Sequence, residues 1–286
     1  MTNNGKIPNF ITFTRELENY KWYKPLLTLI VSVLIFLVFV AILALIFKDA
    51  PGMEVMDVST NAYETTNATS IEGIVQILFL IVMIPSLFIA TKITGDRPFS
   101  TYLTSREKWN WGVFFKSFIV GAIIMFLMSI LPTILGGVQI NIQFTLLTFI
   151  LAIILVPLQC FAEELIFRGL FMQTIGGWFK IPVLAIILQS AIFMLGHPYN
   201  ILGQLSTLIF GIVCGIIAWQ MDGIEATSGL HSSNNLLVFL TIGIFSTGPI
   251  NSNPTLAATL LDLAVVLISA AVILGLYKKT NWLNTK

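Results

Sequence analysis

Eight apolar stretches recur along the chain, at residues 26–47, 71–91, 113–135, 143–166, 181–199, 201–220, 224–246 and 257–277. Each is close to the roughly 20 residues an α-helix needs to cross a bilayer. In hydrocarbon every backbone N–H and C=O must be satisfied internally, so each stretch predicts a helix. The expected fold is all-α: a polytopic membrane helical bundle of about eight transmembrane helices. Charge is correspondingly sparse, at 10% of the 286 residues with 56% hydrophobic, where a soluble domain carries roughly a quarter charged residues. The net charge of +1 provides no basic patch for nucleic acid. The lipid bilayer and a membrane-associated protein or peptide are the expected partners.

The cations set an orientation. With both termini cytoplasmic, the inner segments hold Lys6, Arg15, Lys21, Lys24, Lys92, Arg97, Arg106, Lys108, Lys116, Lys180, Lys278, Lys279 and Lys286, which is 13 of the 15 Lys and Arg residues. This is the asymmetry of the positive-inside rule for an even number of spans. The chain then divides into a cytoplasmic or interfacial segment (1–25), three helices (26–135), a core rich in polar motifs (140–246), and a last helix with a basic tail (257–286). Residues 7–24 place Phe10, Phe13, Trp22 and Tyr23 among charges, which suits a helix lying on the inner leaflet or an ordered lead-in to the first span. The segment 48–70, with Asp49, Glu54, Asp57, Glu64 and the sequon Asn67-Ala68-Thr69, reads as a solvated outer connector. Residues 98–111 read as a polar cytoplasmic loop with aromatic anchors. Cys160 and Cys214 sit in apolar runs with no disulfide pattern.

Ionisable groups inside spans are costly and mark function by default. They gather in three places. In AEELIFRG, Glu164 and Arg168 are four residues apart and can meet on one helix face, while Glu163 is offset by about 100°. In FMLGHPYN, Phe193 and His197 share the same spacing, as do His231 and Asn235 in GLHSSNN. Each alone has a structural reading: a buried ion pair, an interhelical histidine or an interhelical asparagine. Together they are more economically one polar cavity. A carboxylate and a neutral imidazole can deprotonate water, and a histidine and an amide can donate to an oxyanion. The same groups suit a divalent metal such as zinc, held by Glu163, His197 and His231, and a metal-free mechanism is the other reading. Proton-coupled transport and non-catalytic capture, as in an immunity or regulatory protein, are further uses of such a cavity.

The ordered set Glu163-Glu164-x-x-x-Arg168, Phe193-x-x-x-His197 and His231-x-x-x-Asn235 resembles the three motifs of the CPBP family, the CAAX protease and bacteriocin-processing (Abi) membrane proteins. The resemblance covers roughly residues 140–245. It implies an intramembrane endopeptidase, often labelled a metalloprotease, acting on a CAAX-type or bacteriocin- or pheromone-type substrate in a bacterial cell membrane. It also implies roles: Glu163 and His197 activate water, His231 and Asn235 form the oxyanion site, and Glu164 and Arg168 organise the first motif. Two features depart from the family pattern. The third motif is preceded by DGIEATSGLH, which puts Glu225 either at a cavity mouth or at a helix start as a capping residue. Pro198 follows His197 directly and should bend or end its helix, whereas the linear spans put His197 nearer the outer face than His231. Asp262 is expected to be an outer-half packing or interfacial residue.

Overall fold

The computed structural model describes residues 9–48, 69–245, 253–280 and 282–283. Lys6, Lys286, the connector acids Asp49, Glu54, Asp57 and Glu64, and Asn67 and Ala68 of the sequon lie outside the described residues. Among the described residues, eight helical rods follow the eight apolar stretches. They are α1 (Lys24–Ile46), α2 (Ile71–Ile81, continuing after Val82 as Met83–Thr94), α3 (Trp111–Leu135), α4 (Leu146–Phe179), α5 (Pro182–Leu195), α6 (Ile201–Gln220), α7 (Glu225–Phe245) and α8 (Leu256–Lys279). Among the described residues there is no strand, only an isolated bridge between Thr104 and Gly223. Six of the rods are long and apolar enough to cross a membrane; α5 is too short and α7 too polar to count by those measures. The protein is a multi-pass integral membrane protein.

Helix starts are written locally. Ser70, Asn110, Asn200 and Thr255 each accept a backbone N–H of the first turn, and Thr145 and Thr148 form a reciprocal capping box at the start of α4. Lys180, in the left-handed region at φ 59°, ends α4, and Pro182 opens α5 in the first-turn position where its missing N–H is harmless.

Polarity is arranged inside out. Leucines and isoleucines of α1 are largely exposed, as at Leu34 (58%) and Leu37 (54%), and face lipid. The first half of α7 is the reverse, burying Thr227, Ser228, His231, Ser232 and Ser233. This makes α7 the central helix, packed against α3 and α4. The α3–α7 crossing is close because Gly229 has no side chain: a methyl there would run into the Phe114 carbonyl oxygen.

Three expectations change. The fourth span does not stop near 166 but runs unbroken to Phe179, through a π-helical stretch at Leu165–Met172; Arg168 ends the apolar run but not the helix. The fifth span is shorter than 181–199, ending at Leu195, because Gly196 and Pro198 cannot extend it. Residues 10–16 do not form an amphipathic surface helix. Phe10 and Ile11 are consecutive rather than three or four apart, so no stripe forms; both are fully buried against α4 residues including Leu170, Met172 and Ile175, with only a 3₁₀ turn at Phe13–Glu16. Arg15 Nη1 donates to the Gly177 carbonyl (2.9 Å), and Gly176 leaves room for Ile11. This is the ordered lead-in rather than the surface helix.

The 96–110 loop is likewise folded onto the bundle. Tyr102 is fully buried, and its hydroxyl donates to Asp96 Oδ2 at 2.7 Å. Burial holds that phenol above its usual range, with Arg97 opposing. Glu225 is fully buried at the start of α7, ion-paired with Arg106 (2.6 Å) and accepting the Asn110 N–H (3.1 Å). Its role is thus at the helix start, latching this loop, and not at a cavity mouth. Cys160 and Cys214 are free and buried. Asp262 lies exposed in the second turn of α8.

Candidate active site

The site is built on the seam between α4 and α7. The two helices run antiparallel: Asn141 and Gln143, just before α4, donate to the carbonyls of Ile244 and Gly243 at the end of α7 (both 2.8 Å). At the other end of the seam, Glu163 and Glu164 meet His231. Between these levels Cys160 on α4 and Ser232 on α7 are both fully buried.

Glu164 and Arg168 form the pair their spacing predicts, with Arg168 Nη1 donating to Glu164 Oε1 at 2.9 Å and both residues fully buried. The same carboxylate oxygen lies 2.9 Å from His231 Nδ1. A carboxylate held by a guanidinium can only accept, so the imidazole proton sits on Nδ1. That leaves the lone pair of His231 Nε2 aimed at Glu163 Oε2, 3.5 Å away. His231 thus stands between the two adjacent carboxylates, one orienting it and one facing its basic nitrogen. Arg168 also reaches the Gly211 carbonyl of α6 (3.4 Å), and its guanidinium lies over the rings of Phe193 (4.7 Å) and Phe210 (6.0 Å). Even so, among the described residues Arg168 Nε and Glu164 Oε2 are buried without a hydrogen-bond partner.

The second motif reaches the site through its aromatic member. Phe193 is buried on α5, with its ring 4.5 Å from that of His197 and 6.2 Å from that of His231. Phe210 flanks His231 from α6 at 4.9 Å. His197 lies beyond the end of α5 and is half-buried, its Nδ1 donating to the Phe193 carbonyl at 2.8 Å. This fixes its Nε2 as an acceptor. The early end of α5 makes it a 14-residue helix that rises only about 21 Å, short of the roughly 30 Å of a hydrocarbon core. Asn235 lies one turn beyond His231 on α7, half-buried, with its Oδ1 accepting from Asn234 Nδ2 (3.2 Å).

The structure therefore gathers Glu163, Glu164, Arg168 and His231 in direct contact, brings His197 up through Phe193, and sets Asn235 along the same helix. Among the described residues, no group of three His, Cys, Asp or Glu side chains is close enough to hold a metal ion. The set Glu163, His197 and His231 as placed does not fit one. Gln189 and Gly211 are absent from the sequence reading. Gln189 Nε2 donates to the same Gly211 carbonyl that Arg168 uses, at 3.1 Å, and so steadies the guanidinium's third contact. The available signal was an amide in the middle of an apolar span.

A family model matches the part of the chain that holds the site. Residues 142–237 match the family described as Rce1-like, type II CAAX prenyl endopeptidase Rce1-like. This is the CPBP family that the three motifs resemble, and the matched stretch contains every motif residue. An "Uncharacterized protein YyaK" of Bacillus subtilis (strain 168) is 27% identical over 218 residues, which cover 69% of this chain and 73% of that protein. No solved structure matches the chain.

Proposed function

We propose that the protein is a CAAX-type intramembrane endopeptidase that hydrolyses a peptide bond of a membrane-associated protein or peptide, in a bacterial cell membrane. One observation carries this reading: His231 is held by Glu164 on one nitrogen and faces Glu163 with the other. A neutral imidazole Nε2 and a carboxylate oxygen 3.5 Å apart are two acceptors facing one small volume, and a single water can donate to both. Glu163 takes the water's proton as general base, a role worth roughly 10²–10⁴ in rate. His231, oriented by Glu164 and Arg168, holds the second hydrogen of that water. Glu163 then gives the abstracted proton to the leaving amine, and His197, with its Nε2 free to accept, stands beside Phe193 where it aligns the substrate. Asn235 donates to the oxyanion. The family match supports the reaction class, and the Bacillus relative supports the bacterial setting.

The test uses the full chain in proteoliposomes, incubated with a farnesylated peptide ending in a CAAX sequence and with an unprenylated membrane-spanning peptide, products being read by mass spectrometry. Cleavage of one of them is expected from the wild type, with at least a 10²-fold loss in Glu163→Gln. Cleavage that persists at wild-type rate in Glu163→Gln removes the proposal.

A further inference from the structure

Given that peptidase reading, the orientation of one amide decides whether the site can hold a tetrahedral intermediate. Asn235 serves the oxyanion only through its NH₂ end, because its carbonyl end would repel the developing negative charge. An asparagine side chain presents either end after a half-turn of its amide, and the two ends are nearly equal in shape. Something must therefore hold it the right way round. We infer that Asn234, which is not one of the motif residues, is a positioning residue for Asn235. Its Nδ2 donates to Asn235 Oδ1 at 3.2 Å, which occupies the carbonyl end and leaves the NH₂ for the scissile carbonyl.

The helix places this pair. Asn234 and Asn235 are three and four residues beyond His231 on α7, so both stand over the turn that carries it. Side chains on a helix tilt towards its N-terminus, which turns both amides back towards the imidazole. Burial changes at the same point. His231, Ser232 and Ser233 are buried, whereas Asn234 and Asn235 are half-buried, so the pair lies at the edge of the enclosed part of the site.

The contact is not a by-product of adjacent positions. Consecutive helix residues diverge by about 100° and do not ordinarily face each other, so both side chains must lean together to meet. An asparagine within an apolar span ordinarily finds a partner on a neighbouring helix or bonds back to its own backbone. Ser233 and Thr241 do the latter on the same helix, donating to the Leu230 and Leu237 carbonyls (both 2.7 Å). Among the described residues, the hydrogen bond that the Asn234 and Asn235 side chains make is to each other. Its direction carries the inference: Asn234 gives the hydrogen and Asn235 accepts it, so the end of Asn235 left over is the donor an oxyanion requires.

The experiment uses the proteoliposome assay with whichever of the two peptides the wild type cleaves. Asn234→Asp keeps the shape but can only accept, so Asn235 must turn its NH₂ to it and offer its carbonyl to the oxyanion. This should lower kcat by about 10²–10³-fold, the worth of one oxyanion donor, with KM within about threefold and the thermal midpoint unchanged. Asn234→Leu neither gives nor takes a hydrogen and should cost only about two- to tenfold. The key comparison is Asn234→Asp in an Asn235→Leu background. A residue that acts through Asn235 adds nothing there, so the double variant should match Asn235→Leu within about threefold, whereas repulsion by the new charge or a packing defect would persist. A second readout needs no turnover. Binding is measured for the same peptide with the scissile amide replaced by a phosphinate, which carries the oxyanion, or by an ethylene unit, which has no oxygen. Wild type should prefer the phosphinate, and Asn234→Asp should lose that preference while binding the ethylene form as before. An additive loss in the double variant, a kcat of Asn234→Asp within about threefold of wild type, an unchanged preference, a larger loss in Asn234→Leu than in Asn234→Asp, or a loss that tracks a lowered thermal midpoint would each overturn the role of Asn234. If Glu163→Gln abolishes cleavage while Asn234→Asp does not, only Asn234 fails. If Glu163→Gln still cleaves, it is the peptidase reading that fails.

Discussion

Adjacent carboxylates that differ in burial and partners should separate stability from chemistry. Glu164 and Arg168 are both fully buried and 2.9 Å apart. Removing one member of such a pair strands the other charge, at a cost of about 3–5 kcal/mol. Glu164→Leu should lose that amount, and so should Arg168→Met. Against a total stability of about 5–15 kcal/mol, either loss is severe, amounting to roughly 6–20 °C in thermal midpoint. The double variant Glu164→Leu/Arg168→Met replaces the pair by apolar groups of similar volume and should recover most of the loss, because neither desolvated charge remains. It should not recover cleavage, since His231 no longer has a carboxylate on Nδ1. Glu163→Gln removes only the 3.5 Å contact to His231 and should change stability by less than about 1 kcal/mol. The protein supplies its own reporter: Cys160 on α4 and Cys214 on α6 are free and fully buried, so a thiol-reactive dye fluoresces only on unfolding. Equal destabilisation by Glu163→Gln and Glu164→Leu, or a double variant no more stable than the singles, would refute the division of roles.

Two further outcomes follow from the helix ends and crossings. Asp222, in the turn between α6 and α7, has its carboxyl pushed up from 3.8 to about 6 by burial, with Arg106 opposing. Its folded pKa exceeds its unfolded one, so its stabilising contribution is complete below about pH 4 and is lost as pH rises through 6. Asp222→Asn, tolerated at φ 57°, should flatten that part of the thiol-dye melting profile and stabilise the protein above pH 6 by about 1–2 kcal/mol after solvent screening. Gly229→Val should force α3 away from α7 at the Phe114 carbonyl, lowering the midpoint by about 1–3 kcal/mol equivalent and misaligning His231; an unshifted midpoint would show that the crossing is looser than described.

The sequence made the rods legible because lipid imposes one rule on every spanning segment: a run of apolar residues long enough to cross. It was silent where that rule is relaxed. The α4 helix continues through Glu163, Glu164 and Arg168 because neighbouring helices, not lipid, surround it there, so hydropathy cut it short by more than ten residues. The π-helical stretch begins directly after Glu164 and contains Arg168, as such stretches often do at functional sites, and no propensity marks it. The end of α5 was legible in principle, from Gly196 and Pro198, but an apolar window averages over them.

For the site, spacing on one helix and contact between helices behaved differently. Glu164 with Arg168 is an i,i+4 relation and could be read directly. The placement of His231 between both carboxylates is a relation across 67 residues, set by how α7 docks on α4, and no local pattern encodes it. Once that single contact is known, however, antiparallel geometry propagates the register along the whole seam.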